Sequence, residues 1–202
     1  DGTGKKQING TERSISAFSL SPTGDNILFI SSIPSGTKPT DLDPSLDKAT
    51  GRIIDDLMYR HWDCFVEEIP RSFVASFDGT RLSNEIDLLE GQPYELPTLP
   101  FGGIDELSWS PDGKSIAYSC RKLTGVEYAL STNTDIYLYN LETGSEENLS
   151  QGMMGYDTTP LFSPCGEYLV WNSMERGGYE ADKNRLMLYS FRDGSIKDLT
   201  AN

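Results

Sequence analysis

Residues 101–121 read FGGIDELSWSPDGKSIAYSCR, and the fold turns on how this stretch is understood. Ile104, Leu107 and Trp109 lead into a turn, and Ile116, Tyr118 and Cys120 alternate out of it. A period of two marks half-buried strands. Between them stands Ser110-Pro111-Asp112-Gly113. Pro111 presets φ for the second position of a type I turn, Asp112 can bond its own backbone, and Gly113 takes positive φ without steric cost. The hairpin recurs at residues 15–33 and 155–176, each time around Ser-Pro-x-Gly: Ser21-Pro22-Thr23-Gly24 and Ser163-Pro164-Cys165-Gly166.

A second unit follows each hairpin, at residues 73–89, 135–149 and 185–199. An alternating strand runs into a turn at Gly79, Gly144 or Gly194, and a short closing strand ends on an aliphatic residue. Two hairpins make four antiparallel strands per repeat. Ser110 and Ser163 are 53 residues apart, whereas Ser21 and Ser110 are 89 apart. The excess of 36 divides into 28 residues inside the first repeat and 8 after it. A four-stranded unit of roughly 40–50 residues has the period of a propeller blade. The spacing predicts an all-β partial β-propeller of about three four-stranded antiparallel blades: residues 10–100, 101–152 and 153–202. Residues 1–9 match the turn and closing strand at 193–199, which predicts the outer strand of a preceding blade. Three blades leave a ring open, so the expectation is a piece of a longer protein.

The first blade carries an insertion over residues 34–72. Its first half is loop-like; in the second, Ile53, Ile54, Leu57, Met58, His61 and Phe65 recur at spacings of three and four, which predicts an amphipathic helix capped by Asp47 or Thr50. Residues 92–100, with three prolines, read as an extended crossover. The connections at 122–133 and 175–184 lengthen the same link in the other two blades. In a propeller, all three would gather at one end of the disc.

Seventeen Lys and Arg against 31 Asp and Glu give a net charge of −14, which argues against nucleic acid or an anionic membrane as partner. No run reaches transmembrane length. Localisation stays open among periplasmic, secreted and cytoplasmic. Cys64, Cys120 and Cys165 form no C-x-x-C pair, so no metal is expected; Cys120 reads as a core residue and Cys165 as an exposed turn residue. Asp41, Asp43 and Asp47 lack the later glycine and glutamate of a calcium loop. No cofactor is implied. Trp109 and Trp171 read as core aromatics. Asn9-Gly10-Thr11 and Asn148-Leu149-Ser150 match glycosylation sequons.

Residues 110–118 (SPDGKSIAY), 135–144 (DIYLYNLETG), 57–63 (LMYRHWD) and 73–75 (FVA) together resemble the propeller of the prolyl oligopeptidase family, in its dipeptidyl peptidase and acylaminoacyl-peptidase branch. The Ser-Pro-Asp-Gly hairpin alone is shared with Tol-translocation propellers; the 57–75 segment discriminates. The resemblance implies a non-catalytic propeller that gates and orients peptide substrate for an α/β-hydrolase domain of the same full-length chain, a serine exopeptidase releasing dipeptides or acyl-amino acids. A Tol-type protein-binding scaffold is the alternative. No G-x-S-x-G nucleophile elbow occurs in the 202 residues, and the only histidine is His61. The chain therefore supplies no catalytic residue, and hydrolysis by residues 1–202 alone is not expected. In dipeptidyl peptidases of this family, paired acids on a propeller insertion bind the substrate's free amine, a role the resemblance offers to Glu67 and Glu68; an ordinary solvated acidic turn is the other reading. Arg60, His61 and Trp62 are candidates for the surface facing the hydrolase.

Overall fold

The computed structural model describes residues 2–8 and 13–201. Among the described residues, fourteen strands are distributed over three four-stranded antiparallel sheets and one small hairpin. The first sheet contains β1 (Ile15–Leu20) and β2 (Asn26–Pro34). The hairpin of β3 (Arg60–His61) and β4 (Cys64–Phe65) interrupts it, and β5 (Glu68–Phe77) and β6 (Leu82–Asp87) complete it. The second runs in order through β7 (Leu107–Trp109), β8 (Ser115–Cys120), β9 (Asp135–Asn140) and β10 (Glu146–Asn148). The third holds β11 (Asp157–Phe162), β12 (Tyr168–Ser173), β13 (Arg185–Ser190) and β14 (Ile196–Asp198).

The three Ser-Pro-x-Gly turns are superimposable in their bonding. Gly24, Gly113 and Gly166 adopt φ of +78°, +72° and +72°, and each donates its N–H to the carbonyl of its own serine at 2.9 Å. The serine hydroxyl then accepts from the first residue of the following strand: Asn26, Ser115 and Tyr168 at 3.1, 2.9 and 3.0 Å. Serine is thus the turn's internal acceptor, which the sequence reading credited only to Pro, Asp and Gly. The closing leucines are equivalent too: Leu88, Leu149 and Leu199 donate their N–H to the carbonyls of Ser72, Ile136 and Leu186.

The middle sheet is covered on both faces by its neighbours, and each outer sheet on one. Successive residues of a strand point to opposite sides, so Leu28 and Ile30 pack with Val74 and Leu88 against Leu107, Ile116, Tyr118 and Tyr137 of the second sheet. Ile27 and Phe29 face the other way, onto Phe73 and Ala75, with Ile8 joining them. Ala117 and Ile136 then meet Leu169, Trp171 and Met187 of the third sheet. The sheets stack face to face, as the wedges of a propeller do. Cys120 is buried and Cys165 exposed. Residues 2–8 form no strand, although Ile8 accepts a hydrogen bond from Leu82 N at 3.3 Å. The Asn9-Gly10-Thr11 sequon lies outside the described residues.

The insertion bears a helix, but not the one expected. α1 is a single turn, Pro39–Leu42, followed by a 3-10 turn at Pro44–Leu46. Residues 53–59 are irregular, with bends, and lead into the β3–β4 hairpin, in which Arg60 pairs with Phe65 and His61 with Cys64. Ile53, Ile54, Tyr59, Trp62 and Phe65 are β-branched or aromatic, types that lose rotamer freedom in a helix. Met58 and Trp62 sit at φ of 61° and 51°, which no helix tolerates. The three-and-four spacing instead supplies the apolar lining of a cleft.

Candidate functional site

Strand direction places the three lengthened connections, 35–67, 121–134 and 174–184, beyond the same end of the stack. They touch one another. The Asp56 carboxylate lies against Gly125, so close that a Cβ there would fall 2.3 Å from its Oδ2. Gly125 opens α2 (Gly125–Leu130) in the second connection. Gly178 N donates to Thr132 Oγ1 at 2.7 Å, tying the second connection to the third. One continuous surface results, built from all three sheets.

Under it runs a buried polar brace. Arg71 on β5 is held by Asp87 at 2.9 Å and donates to the carbonyls of Gln92 at 2.7 Å, Tyr94 and Leu89. A guanidinium has donors in a planar fork, which suits one side chain binding a carboxylate and several carbonyls at once. It staples the 88–94 crossover to the first sheet. Glu95 follows: its Oε1 accepts from Leu99 N at 2.9 Å and from the Tyr128 hydroxyl on α2, and its Oε2 lies 3.5 Å from His61 Nε2. Arg121 covers the Tyr128 ring at 4.5 Å. Lys122 binds Glu146 and Gln92 and sits 4.3 Å over the Tyr137 ring.

Titration behaviour in this region follows burial. Desolvation, reinforced by Glu95, raises Tyr128 above the usual phenol range. Desolvation, reinforced by the Glu146 carboxylate that accepts its hydroxyl, does the same for Tyr118. The Cys120 thiol is pushed up to about 12 by burial, and only a thiolate is a nucleophile. The brace holds structure; it presents no activated nucleophile. Among the described residues, no three His, Cys, Asp or Glu side chains could hold a metal ion.

The candidate residues divide. Glu67 and Glu68 border a cleft of about 640 Å³ made wholly of the insertion, with Ile53, Ile54, Leu57, Tyr59 and Phe65 among its apolar walls. Its volume is within the roughly 300–1,000 Å³ of small-ligand sites. Glu67 is already paired with Arg52, at 2.9 Å from Nε and 2.8 Å from Nη2, and Arg52 stacks over Phe65 at 4.1 Å. His61 turns inward to Glu95 and Tyr128, whereas Trp62 turns outward against Phe101. Arg60 lies over Phe65 at 5.3 Å. The structure thus joins Arg60, His61 and Trp62 on one hairpin but gives each a different neighbourhood. Glu95, Arg71, Tyr128 and Phe101 escaped the sequence reading. Three of them are polar or charged residues in stretches read as crossover, insertion and connection, and only a fold shows that they converge.

No protein-family model matches the chain. Curated relatives do. The dipeptidyl-peptidase 5 of Porphyromonas gingivalis is 52% identical over 180 residues, covering 89% of this chain and 26% of that protein. Its counterpart from Porphyromonas endodontalis is 47% identical over 188 residues, covering 93% and 27%. The chain therefore spans about a quarter of the length of the curated relatives it matches. Among solved structures, an acylaminoacyl peptidase of Pyrococcus horikoshii matches with a TM-score of 0.59 at 17% identity, over 96% of this chain and 26% of that one. The β-propeller domain of the Trilobed protease from Pyrococcus furiosus matches at 0.51 and 10% identity, over 92% and 42%. These likenesses establish the fold as that of β-propeller blades.

Proposed function

We propose, for a chain that belongs to the propellers of the prolyl oligopeptidase family, that its role is to admit and orient peptides for a serine exopeptidase that releases dipeptides. The α/β-hydrolase domain that performs the cleavage would lie elsewhere in the full-length protein and pack against the end of the stack that carries the insertion. One observation supports this reading above the others: all three sheets lengthen the same connection, and the three products are cross-braced into one surface. A scaffold strand pair needs no such material, and loops of this length are uncommon without a task.

Glu68, and Glu67 once Arg52 is displaced, would receive the substrate's free ammonium through charge-assisted hydrogen bonds. Glutamine at both positions would then raise KM for dipeptidyl substrates; unchanged KM would remove that role. The gating reading has its own test. In the full-length protein, residues 37–57 are replaced by a short Gly-Ser linker, and kcat/KM is compared for a dipeptidyl chromogenic substrate and a long unstructured peptide. A gate predicts that the ratio shifts toward the long peptide. An unchanged ratio refutes it.

A further inference from the structure

Glu67 and Glu68 stand where the insertion returns to the first sheet, and their backbone is fixed there. Ser35 N donates to the Glu67 carbonyl at 3.0 Å, and Glu68 pairs with Pro34 at the end of β2. Arg52 reaches Glu67 from another part of the insertion. Its Nε and Nη2 lie 2.9 and 2.8 Å from Glu67 Oε1, and its guanidinium covers the Phe65 ring at 4.1 Å. A carboxylate beside an aromatic face is a seat for a cation, held by charge-assisted hydrogen bonds and by the ring quadrupole. Arg52, Phe65 and Glu67 all line the cleft of about 640 Å³. Five of the charged residues on its walls are acidic, against Lys38 and Arg52, so the cavity favours a cation.

The cation now in the seat is held loosely. The side chains of Arg52 and Glu67 remain 46% and 64% exposed, so water screens the pair. Among the described residues, the chain from Thr50 to Met58 makes no backbone-to-backbone hydrogen bond. The guanidinium can therefore leave without breaking a strand or a helix.

We propose that Arg52 is a tethered competitor of the substrate: its guanidinium fills the seat made by Glu67 and Phe65, and a peptide's free ammonium binds there by displacing it. The inference rests on the reading under Proposed function and adds the control of that site. One cation replaces another on the same carboxylate, so the strength of the internal pair sets the apparent affinity. An exposed ion pair supported by one guanidinium–ring contact would raise KM about fivefold over that of an empty seat. A structural pin predicts the opposite sign, because its removal would loosen the cleft and weaken binding.

The test uses the full-length protein and a dipeptidyl chromogenic substrate with a free amino terminus. Arg52→Gln should lower KM about fivefold. Arg52→Lys, which keeps a cation on the tether, should hold KM near the parent value. In a Glu67→Gln background, Arg52→Gln should change KM no further, because no carboxylate remains to be freed. A raised or unchanged KM in Arg52→Gln overturns the inference, and so does an equal fall in both backgrounds. The reading under Proposed function fails separately, if Glu67→Gln with Glu68→Gln leaves KM unchanged or if no dipeptide is released. Benzylammonium then decides the seat, titrated into the protein and followed by the line width of its NMR signals. Binding about fivefold tighter to Arg52→Gln than to the parent supports a displaceable Arg52; equal or undetectable binding overturns it.

Discussion

Asp157 begins β11 with its side chain fully enclosed, and neither carboxylate oxygen has a hydrogen-bond partner. Its backbone is satisfied by Thr134 and Ser119. Burial is the main cause that pushes its pKa up from 3.8 to about 6, with the charge of Asp135 adding to it and nearby Ser173, Ser150 and Trp171 partly opposing it. A raised carboxyl pKa means that the folded state holds the proton more tightly than the unfolded chain. Stability from this group is therefore complete below the unfolded value, declines as pH rises from about 4 to 6, and stays low above. The difference of about two units corresponds to about 3 kcal/mol. Asp157→Asn removes the charge at nearly constant volume. At pH 8 the variant should be more stable by up to about 3 kcal/mol, a rise in melting temperature on the order of 6–12 °C for a chain of this size. At pH 4 the gap should nearly close, because the wild-type carboxyl is then protonated. Thermal unfolding of both proteins by circular dichroism, at pH 4, 5, 6, 7 and 8, gives the difference curve. A gap of constant size across the series, or a variant less stable at pH 8, refutes the reasoning.

Two further substitutions probe the packing. Arg71→Met should destabilise the protein by about 3–5 kcal/mol, because Asp87 and the carbonyls of Leu89, Gln92 and Tyr94 lose their shared buried donor; denaturant melts measure the loss, and a change below about 1 kcal/mol would contradict the bracing role. Gly155→Ala would put a Cβ 1.9 Å from the Met174 carbonyl oxygen, so a loss of about 1–3 kcal/mol or more is expected in the same melts, and a neutral result would show that β11 and the third connection are less tightly apposed than described.

The repeat was legible because its turns are local. Ser-Pro-x-Gly carries its own bonding partners within six residues, and alternation of two reports strands whose faces differ. Even so, β2 reads as a continuous apolar run, since the second sheet covers one of its faces while Phe73, Ala75 and Ile8 pack on the other. The insertion was misread for a related reason. Its spacing of three and four arises from residues lining a cleft, and only the positive φ at Met58 and Trp62 reveals that the chain turns there. Glu67 and Glu68 were found as an acidic pair, yet nothing local reveals that Arg52 claims the first of them. Glu95 lies 34 residues from His61 and 33 from Tyr128 along the chain, and their convergence is a property of stacked sheets, with no counterpart in sequence periodicity.

The central claim is that the end of the blade stack bearing the insertion faces the reacting peptide. A crystal structure of the full-length protein with a bound dipeptide tests it most directly. Expected is a dipeptide within contact distance of the 35–68 connection, with the rest of the protein packed over α2 and the β3–β4 hairpin. A dipeptide bound instead beside the Ser-Pro-x-Gly turns, at the opposite end of the strands, would contradict the claim.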